Sequence, residues 1–250
     1  MRGSMEGPRL YNDLASLWLA FSPPEEYTEE VASFVRRFSR HGVPDGGTVL
    51  HLGSGGGSID FLLKRHYRVT GVDLSEPMLA VSRALNPEVE YLDGDIRDVR
   101  LGRTFDAVLL HDAISYMTSV AELEAAYRTA AAHLRPGGIM LALPEELKGR
   151  RADEEVSAVT RSVGHRTVTF IETSYDPDPS DTTFEVVYLF MIREDDSLRV
   201  EVDRHVNGMF ELDQFLGAVR KAGFDAVAEP WELSEWEPGR EMPLIRAVKR

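Results

Sequence analysis

Cysteine is absent from the 250 residues of this chain. Disulfide bridges and thiolate metal sites are therefore excluded. Lysine is scarce: four of the 28 basic residues are lysine, and 42 acidic residues leave a formal charge of −14. Phosphate recognition relies on Lys and Arg patches, so no nucleic acid is expected as a partner. The one loose basic cluster, Arg150, Arg151, Arg161 and Arg166, reads as a solvated face. No run approaches the roughly 18 to 20 apolar residues of a membrane span, so no membrane partner is expected either. The seven histidines show no H-x-x-x-H or H-E-x-x-H spacing, and no metal is expected. Met1-Arg2-Gly3-Ser4 ahead of Met5 reads as a vector remnant outside the fold, and with no signal peptide expected the cytoplasm is the expected compartment.

An apolar content of 43% supports an ordinary core, and the length suits one domain with an elaboration. The most informative stretch runs from Val49 to Leu63, where a short apolar strand enters a glycine-rich turn that opens into a helix. Such a turn lets a ligand lie almost against the backbone, because glycine has no Cβ and tolerates positive φ. Gly53, Gly55 and Gly57 read G-x-G-x-G. A dinucleotide loop would be G-x-G-x-x-G, and its last glycine is replaced here by Ser58.

Strands and helices alternate from there. Strands are expected at 48–52, 68–73, 89–92, 105–110 and 139–143, with helices at 58–65, 76–85 and 120–134 between them. That order implies a parallel sheet covered on both faces. Residues 8–41 read as helical with a break at Pro23-Pro24. The pattern then changes: 166–175, 184–193 and 198–206 are strand-like runs separated by turn clusters, an antiparallel three-stranded insert. A helix at 211–222 stops at Gly223, and 224–230 with 244–249 close the sheet as an antiparallel pair.

Acidic residues stand at successive strand ends. Asp73 lies 20 residues after Gly53, placed to accept from ribose hydroxyls. Asp95 follows the third strand, placed to accept from an adenine amino group with Ile96 against the ring. His111-Asp112 leaves the fourth strand. Singly, Asp73 and Asp95 also have a reading as caps; Ser75 before Glu76-Pro77 is good capping chemistry. As an ordered set they mark a ligand at the carboxyl ends of the strands.

The set resembles the class I S-adenosylmethionine (SAM)-dependent methyltransferases. The matching pieces are His51-Leu52-Gly53-Ser54-Gly55-Gly56-Gly57, Gly71-Val72-Asp73-Leu74-Ser75-Glu76-Pro77-Met78-Leu79, Gly94-Asp95-Ile96, Phe105-Asp106-Ala107-Val108 and Leu134-Arg135-Pro136-Gly137-Gly138. Tyr11-Asn12-Asp13-Leu14-Ala15, Trp18, Tyr27 and Arg204 to Phe210 are more narrowly similar to the antibiotic-sugar N,N-dimethyltransferases and glycine N-methyltransferase-like enzymes. The resemblance implies an α/β fold with a Rossmann-like, seven-stranded, mostly parallel sheet. It implies a helical lid at 8–44, a core at 45–145 and 211–250, and the insert at 146–210 as a substrate pocket or homodimer contact. SAM is the implied cofactor and S-adenosylhomocysteine its product. Contacts to it are expected from Gly53, Ser54, Gly55 and Gly57, from Asp73, Leu74 and Met78, from Asp95 and Ile96, and from His111 and Asp112. His51 stands where the family has an acidic residue near the methionine end of the ligand, and an aspartate in its place is expected to be tolerated.

Aromatic Tyr11 and Trp18 are expected to cover the sulfonium side. The acceptor pocket is expected to draw on Tyr27, Tyr116, Glu145 and His205, with His111 and His205 as the candidate bases. Methyl transfer to a small-molecule N or O acceptor, by in-line displacement with positioning as the main catalytic device, is the leading expectation. A non-catalytic SAM-binding protein is the alternative that His51 keeps open. An NAD(P)-dependent oxidoreductase is the other, disfavoured by Ser58 and the absence of a Tyr-x-x-x-Lys pair.

Overall fold

The computed structural model describes residues 7–144, 146–149, 156–234 and 242–250. The N-terminal segment is built from short pieces: single 3-10 turns at Arg9–Tyr11 and Ala15–Leu17, α1 (Trp18–Phe21), and a further 3-10 turn at Pro24–Tyr27 leading into α2 (Thr28–Arg40). Pro23 and Pro24 break the helix as their fixed φ requires. Next come β1 (Thr48–Leu52), α3 (Ser58–Leu63), β2 (Arg68–Asp73), α4 (Glu76–Leu85), β3 (Glu90–Asp93), β4 (Phe105–Leu110), α5 (Val120–Ala132) and β5 (Leu134–Ala142). Ser75 caps α4 by accepting from Met78 N–H, and Ser119 caps α5 by accepting from Glu122 N–H.

The main sheet has seven strands in the order β10-β11-β5-β4-β1-β2-β3, where β10 (Phe224–Trp231) and β11 (Met242–Lys249) come from the end of the chain. β11 runs antiparallel to both its neighbours; the other recorded pairings are parallel. The chain steps from β1 outward to β3, then returns to β4 on the other side of β1. The switch point therefore lies between β1 and β4, where open α/β sheets bind ligands.

Alternation along β1 splits the core. Leu50 and Leu52 pack with Tyr127 of α5 and Phe215 of α6 (Leu212–Lys221), while Val49 packs with Phe34 and Phe38 of α2 and Leu62 and Leu63 of α3. His51 shares the Val49 face and so points under α3.

The insert is four-stranded where three strands were expected: β6 (Val156–Val163), β7 (Arg166–Tyr175), β8 (Thr183–Glu194) and β9 (Ser197–Gly208), paired in that order. β6 was missed because it is an edge strand exposed along nearly all its length and lacks apolar alternation. Its hairpin to β7 turns at Gly164-His165, with Gly164 at φ 63°. The inner face of the insert, with Val168, Phe190 and Ile192, packs on Leu10, Leu14 and Leu17 of the N-terminal segment. The N-terminal segment and the insert thus share a third core. Along the outer face Leu198, Val200, Val202 and Val206 remain exposed. Among the described residues no helix is long and apolar enough to cross a membrane.

Candidate functional site

A cavity of about 360 Å³ opens at the carboxyl ends of β1, β2 and β4, within the range of small-molecule sites. The glycine turn forms its floor. Gly53 has φ 78°, and a Cβ there would sit 2.0 Å from the Ala113 Cβ; at Gly56 a Cβ would sit 2.2 Å from the Trp18 ring. Side chains at either position would displace the wall opposite.

Asp73 accepts from Gly55 N–H at 2.8 Å and Ser75 N–H at 2.9 Å. Burial pushes its carboxyl up from the ordinary value, against the pull of those two N–H groups. Asp95 is paired with Arg97, at 2.6 Å to Nη2, and Arg97 reaches Glu122 at 2.7 Å. The arginine holds the Asp95 carboxyl below the ordinary range. Both Asp95 and Ile96 line the cavity, with Arg97 beside them.

His111 leaves β4 into a 3-10 turn (Asp112–Tyr116). Its Nε2 meets Glu30 of α2 at 2.7 Å, and its Nδ1 contacts Asp112. Burial disfavours the charged ring, but the carboxylates of Asp112 and Glu30 outweigh it and hold the pKa well above the ordinary histidine value. An imidazolium with both nitrogens engaged ties α2 to the end of β4.

A second chain of polar groups starts at the cavity wall. The Tyr11 and Tyr116 hydroxyls are 2.8 Å apart. Tyr116 Oη lies 2.5 Å from His205 Nδ1, and His205 Nε2 lies 2.7 Å from Asp203 Oδ2. Leu10 N–H donates to the same Asp203 oxygen at 2.6 Å, and Arg9 pairs with Glu201 at 2.8 Å. Burial would raise the Asp203 pKa; hydrogen bonds from His205 and from the N–H groups of Arg9 and Leu10 outweigh it and keep the carboxyl below its ordinary range. Asp203 accepts, so Nε2 carries the ring proton and Nδ1 accepts from Tyr116.

The structure gathers most of the expected residues. Tyr11, Trp18, Tyr27, His51, Ser54, Leu74, Asp112 and Tyr116 line the cavity along with the glycines, Asp73, Asp95, Ile96 and His111. Met78 does not: it is fully buried beneath the loop. His205 is also off the wall, buried behind Tyr116. Glu145 lies outside the described residues. Sequence reasoning missed Glu30, Asp60, Arg97 and Asp203. For Asp203 a signal existed, since it lies two residues before His205 on a strand and so shares its face.

The cavity fits SAM. Trp18 Nε1, His51 Nε2 and Ser54 Oγ are buried, belong to cavity-lining residues and have no hydrogen-bond partner among the described residues. A ligand with ribose hydroxyls and an amino-acid tail is the kind that pairs such atoms.

Comparison with known proteins points the same way. The family described as "Methyltransferase domain" matches residues 49–138. The chain is 30% identical over 208 residues to the dTDP-3-amino-3,6-dideoxy-α-D-glucopyranose N,N-dimethyltransferase of Streptomyces fradiae, spanning 82% of this chain and 80% of that protein. It is 31% identical over 202 residues to the dTDP-3-amino-3,4,6-trideoxy-α-D-glucopyranose N,N-dimethyltransferase of Streptomyces venezuelae, spanning 80% and 84%. A SAM-bound amino pentose methyltransferase of Micromonospora echinaspora, involved in calicheamicin biosynthesis, superposes with a TM-score of 0.75 at 26% identity, covering 90% of this chain and 92% of that one.

Proposed function

Since the chain belongs to the class I SAM-dependent methyltransferases related to the antibiotic-sugar N,N-dimethyltransferases, we propose that it methylates the amino group of a nucleotide-linked amino sugar by direct in-line displacement. Bound SAM supplies an activated methyl group on a sulfonium. The chain's own work is then to hold the two partners, exclude water and take one proton. Asp73 and the glycine turn hold the nucleoside; Tyr11 and Trp18 line the cavity and supply the aromatic rings that a sulfonium would meet. His111, locked between Glu30 and Asp112, positions the end of β4 and takes no proton.

The observation that carries the reading is the Tyr116–His205–Asp203 chain. An alkylammonium has no lone pair and must lose a proton before it accepts a methyl group. Tyr116 Oη takes that proton while passing its own to His205 Nδ1, and Asp203 stabilises the resulting imidazolium. The buried carboxylate is ionised and the ring is fixed in the tautomer that receives.

The test is mass spectrometry of dTDP-linked amino sugars incubated with enzyme and SAM. One or two added methyl groups on nitrogen are expected, with the matching hydroxy sugars unmodified. Methylation of the hydroxy sugars at equal rates overturns the amine assignment.

A further inference from the structure

His51 occupies the place of a carboxylate, yet a carboxylate is present one step behind it. Asp60, the third residue of α3, is fully buried and accepts from His51 Nδ1 at 2.7 Å through Oδ1. Its Oδ2 accepts from Tyr91 Oη at 3.0 Å, and Tyr91 Oη accepts in turn from Asn86 Nδ2 at 2.9 Å. Asn86 Nδ2 also donates to Gly57 C=O at 2.9 Å, anchoring the set to the glycine turn. A carboxylate accepts here from Nδ1–H, and the tautomer that this bond selects presents its lone pair at Nε2. That Nε2 is buried, belongs to a cavity-lining residue and has no partner among the described residues.

A lone pair at this point needs a donor from the ligand. SAM offers three kinds: adenine amino, ribose hydroxyl and α-ammonium. Asp95 and Asp73 stand at the places suited to the first two. We propose that His51 and Asp60 act as one unit in place of the strand-end carboxylate, His51 Nε2 accepting from the α-ammonium of SAM and Asp60 supplying the negative charge through the ring. A carboxylate behind an imidazole fixes its tautomer and raises the basicity of the far nitrogen, as it does behind metal-bound histidines. Both residues are positioning groups for the cofactor, and the inference depends on SAM binding and not on the identity of the acceptor.

This reverses the expectation for an aspartate at position 51. Placed there alone, it would share a buried site with Asp60, and one of two adjacent carboxylates must stay protonated. With asparagine at position 60 the conflict disappears: the amide N–H donates to the introduced carboxylate and the amide oxygen accepts from Tyr91.

The test is calorimetric binding of S-adenosylhomocysteine, which keeps the α-ammonium, and of its deaminated counterpart, in which hydrogen replaces that group. Melting curves of the unliganded variants confirm folding. Wild-type enzyme is expected to bind the deaminated ligand roughly 10- to 100-fold more weakly, the range of a hydrogen bond to a charged group. His51→Leu is expected to weaken S-adenosylhomocysteine to that level and leave the deaminated ligand unchanged. His51→Asp is expected to lose roughly tenfold or more, and His51→Asp with Asp60→Asn to regain most of it. Asp60→Asn alone, the mildest change, is expected to weaken S-adenosylhomocysteine only. Equal losses on both ligands in His51→Leu overturn the proposal, as does wild-type affinity in His51→Asp alone. A loss that follows removal of the α-carboxylate overturns it too, because the ring would then be a donor.

Discussion

Asp203→Asn is the most discriminating perturbation of the proton path. One oxygen, Oδ2, accepts both from His205 Nε2 at 2.7 Å and from Leu10 N–H at 2.6 Å. An asparagine keeps both bonds by placing its amide oxygen there; the flipped amide would set its N–H₂ against two donors. The bonds from His205 and Leu10 therefore persist, and with them the ring tautomer and the Tyr116 hydrogen bond; the charge behind the ring is lost, along with at most the bond from Arg9 N–H. A charge in direct contact shifts a neighbour's proton affinity by roughly 1 to 3 pK units, about 1.4 kcal/mol each. If the proton leaves in the rate-limiting step, kcat falls by roughly 10- to 1,000-fold. His205→Phe, which removes the acceptor, is expected to fall at least as far. SAM affinity stays unchanged in both, since neither residue lines the cavity. Steady-state kinetics on an amino-sugar acceptor, with calorimetry for SAM, measures the split. A kcat in Asp203→Asn within twofold of wild type, or a fall matched by an equal loss of SAM affinity, refutes the relay.

Three further outcomes follow from the cavity. Asp73→Ala is expected to weaken SAM by roughly 1.5 to 3 kcal/mol, the loss of charged hydrogen bonds, and unchanged calorimetric affinity would contradict the ribose assignment. His111 has its folded pKa raised by Asp112 and Glu30 despite burial, so its ion pairs stabilise fully below the unfolded histidine value and the benefit fades as pH rises through the raised one. The stability gap between wild type and His111→Gln, read from denaturant titrations, should therefore shrink toward alkaline pH, and a gap constant across that range would count against the clamp. Gly56→Ala places a methyl 2.2 Å from a Trp18 ring atom, so roughly 1 to 3 kcal/mol of stability should be lost with a change in tryptophan fluorescence; a silent substitution would mean the ring does not rest there.

Most of the residues that line the cavity were legible in sequence; of the proposed proton path Tyr116 and His205 were singled out and Asp203 was not, for a physical reason. A glycine turn between strand and helix, followed by acids at strand ends, is local information: each residue declares its role within a few positions of an element boundary. Asp73 and Asp95, which line the cavity, were singled out this way. Glu30 looks like any acid on an amphipathic helix, and Asp60 like a first-turn acid favoured by the helix dipole; what ties them to the cavity is their contact with His111 and His51 at the ends of β4 and β1. His205 was expected to face the acceptor pocket; it lies buried behind Tyr116 instead, a placement that depends on how the insert docks. Strand β6 escaped because an exposed edge needs no apolar period. The oxidoreductase alternative rested on the glycine turn alone, and family membership removes it.

Arg9, Leu10 and Tyr11 are held to β9 and to Tyr116, while Trp18, a few residues on, lies over Gly56. The residue that would cover a bound cofactor and the contacts that complete the proposed proton path thus belong to one short segment. On the proposed reading, a bound cofactor would lie beneath Trp18, and the same short segment would have to move for S-adenosylhomocysteine to leave. The number of methyl groups added per encounter then becomes a contest of lifetimes. If the amino sugar is methylated twice, weakening the Arg9–Glu201 tie is expected to change the ratio of singly to doubly methylated product.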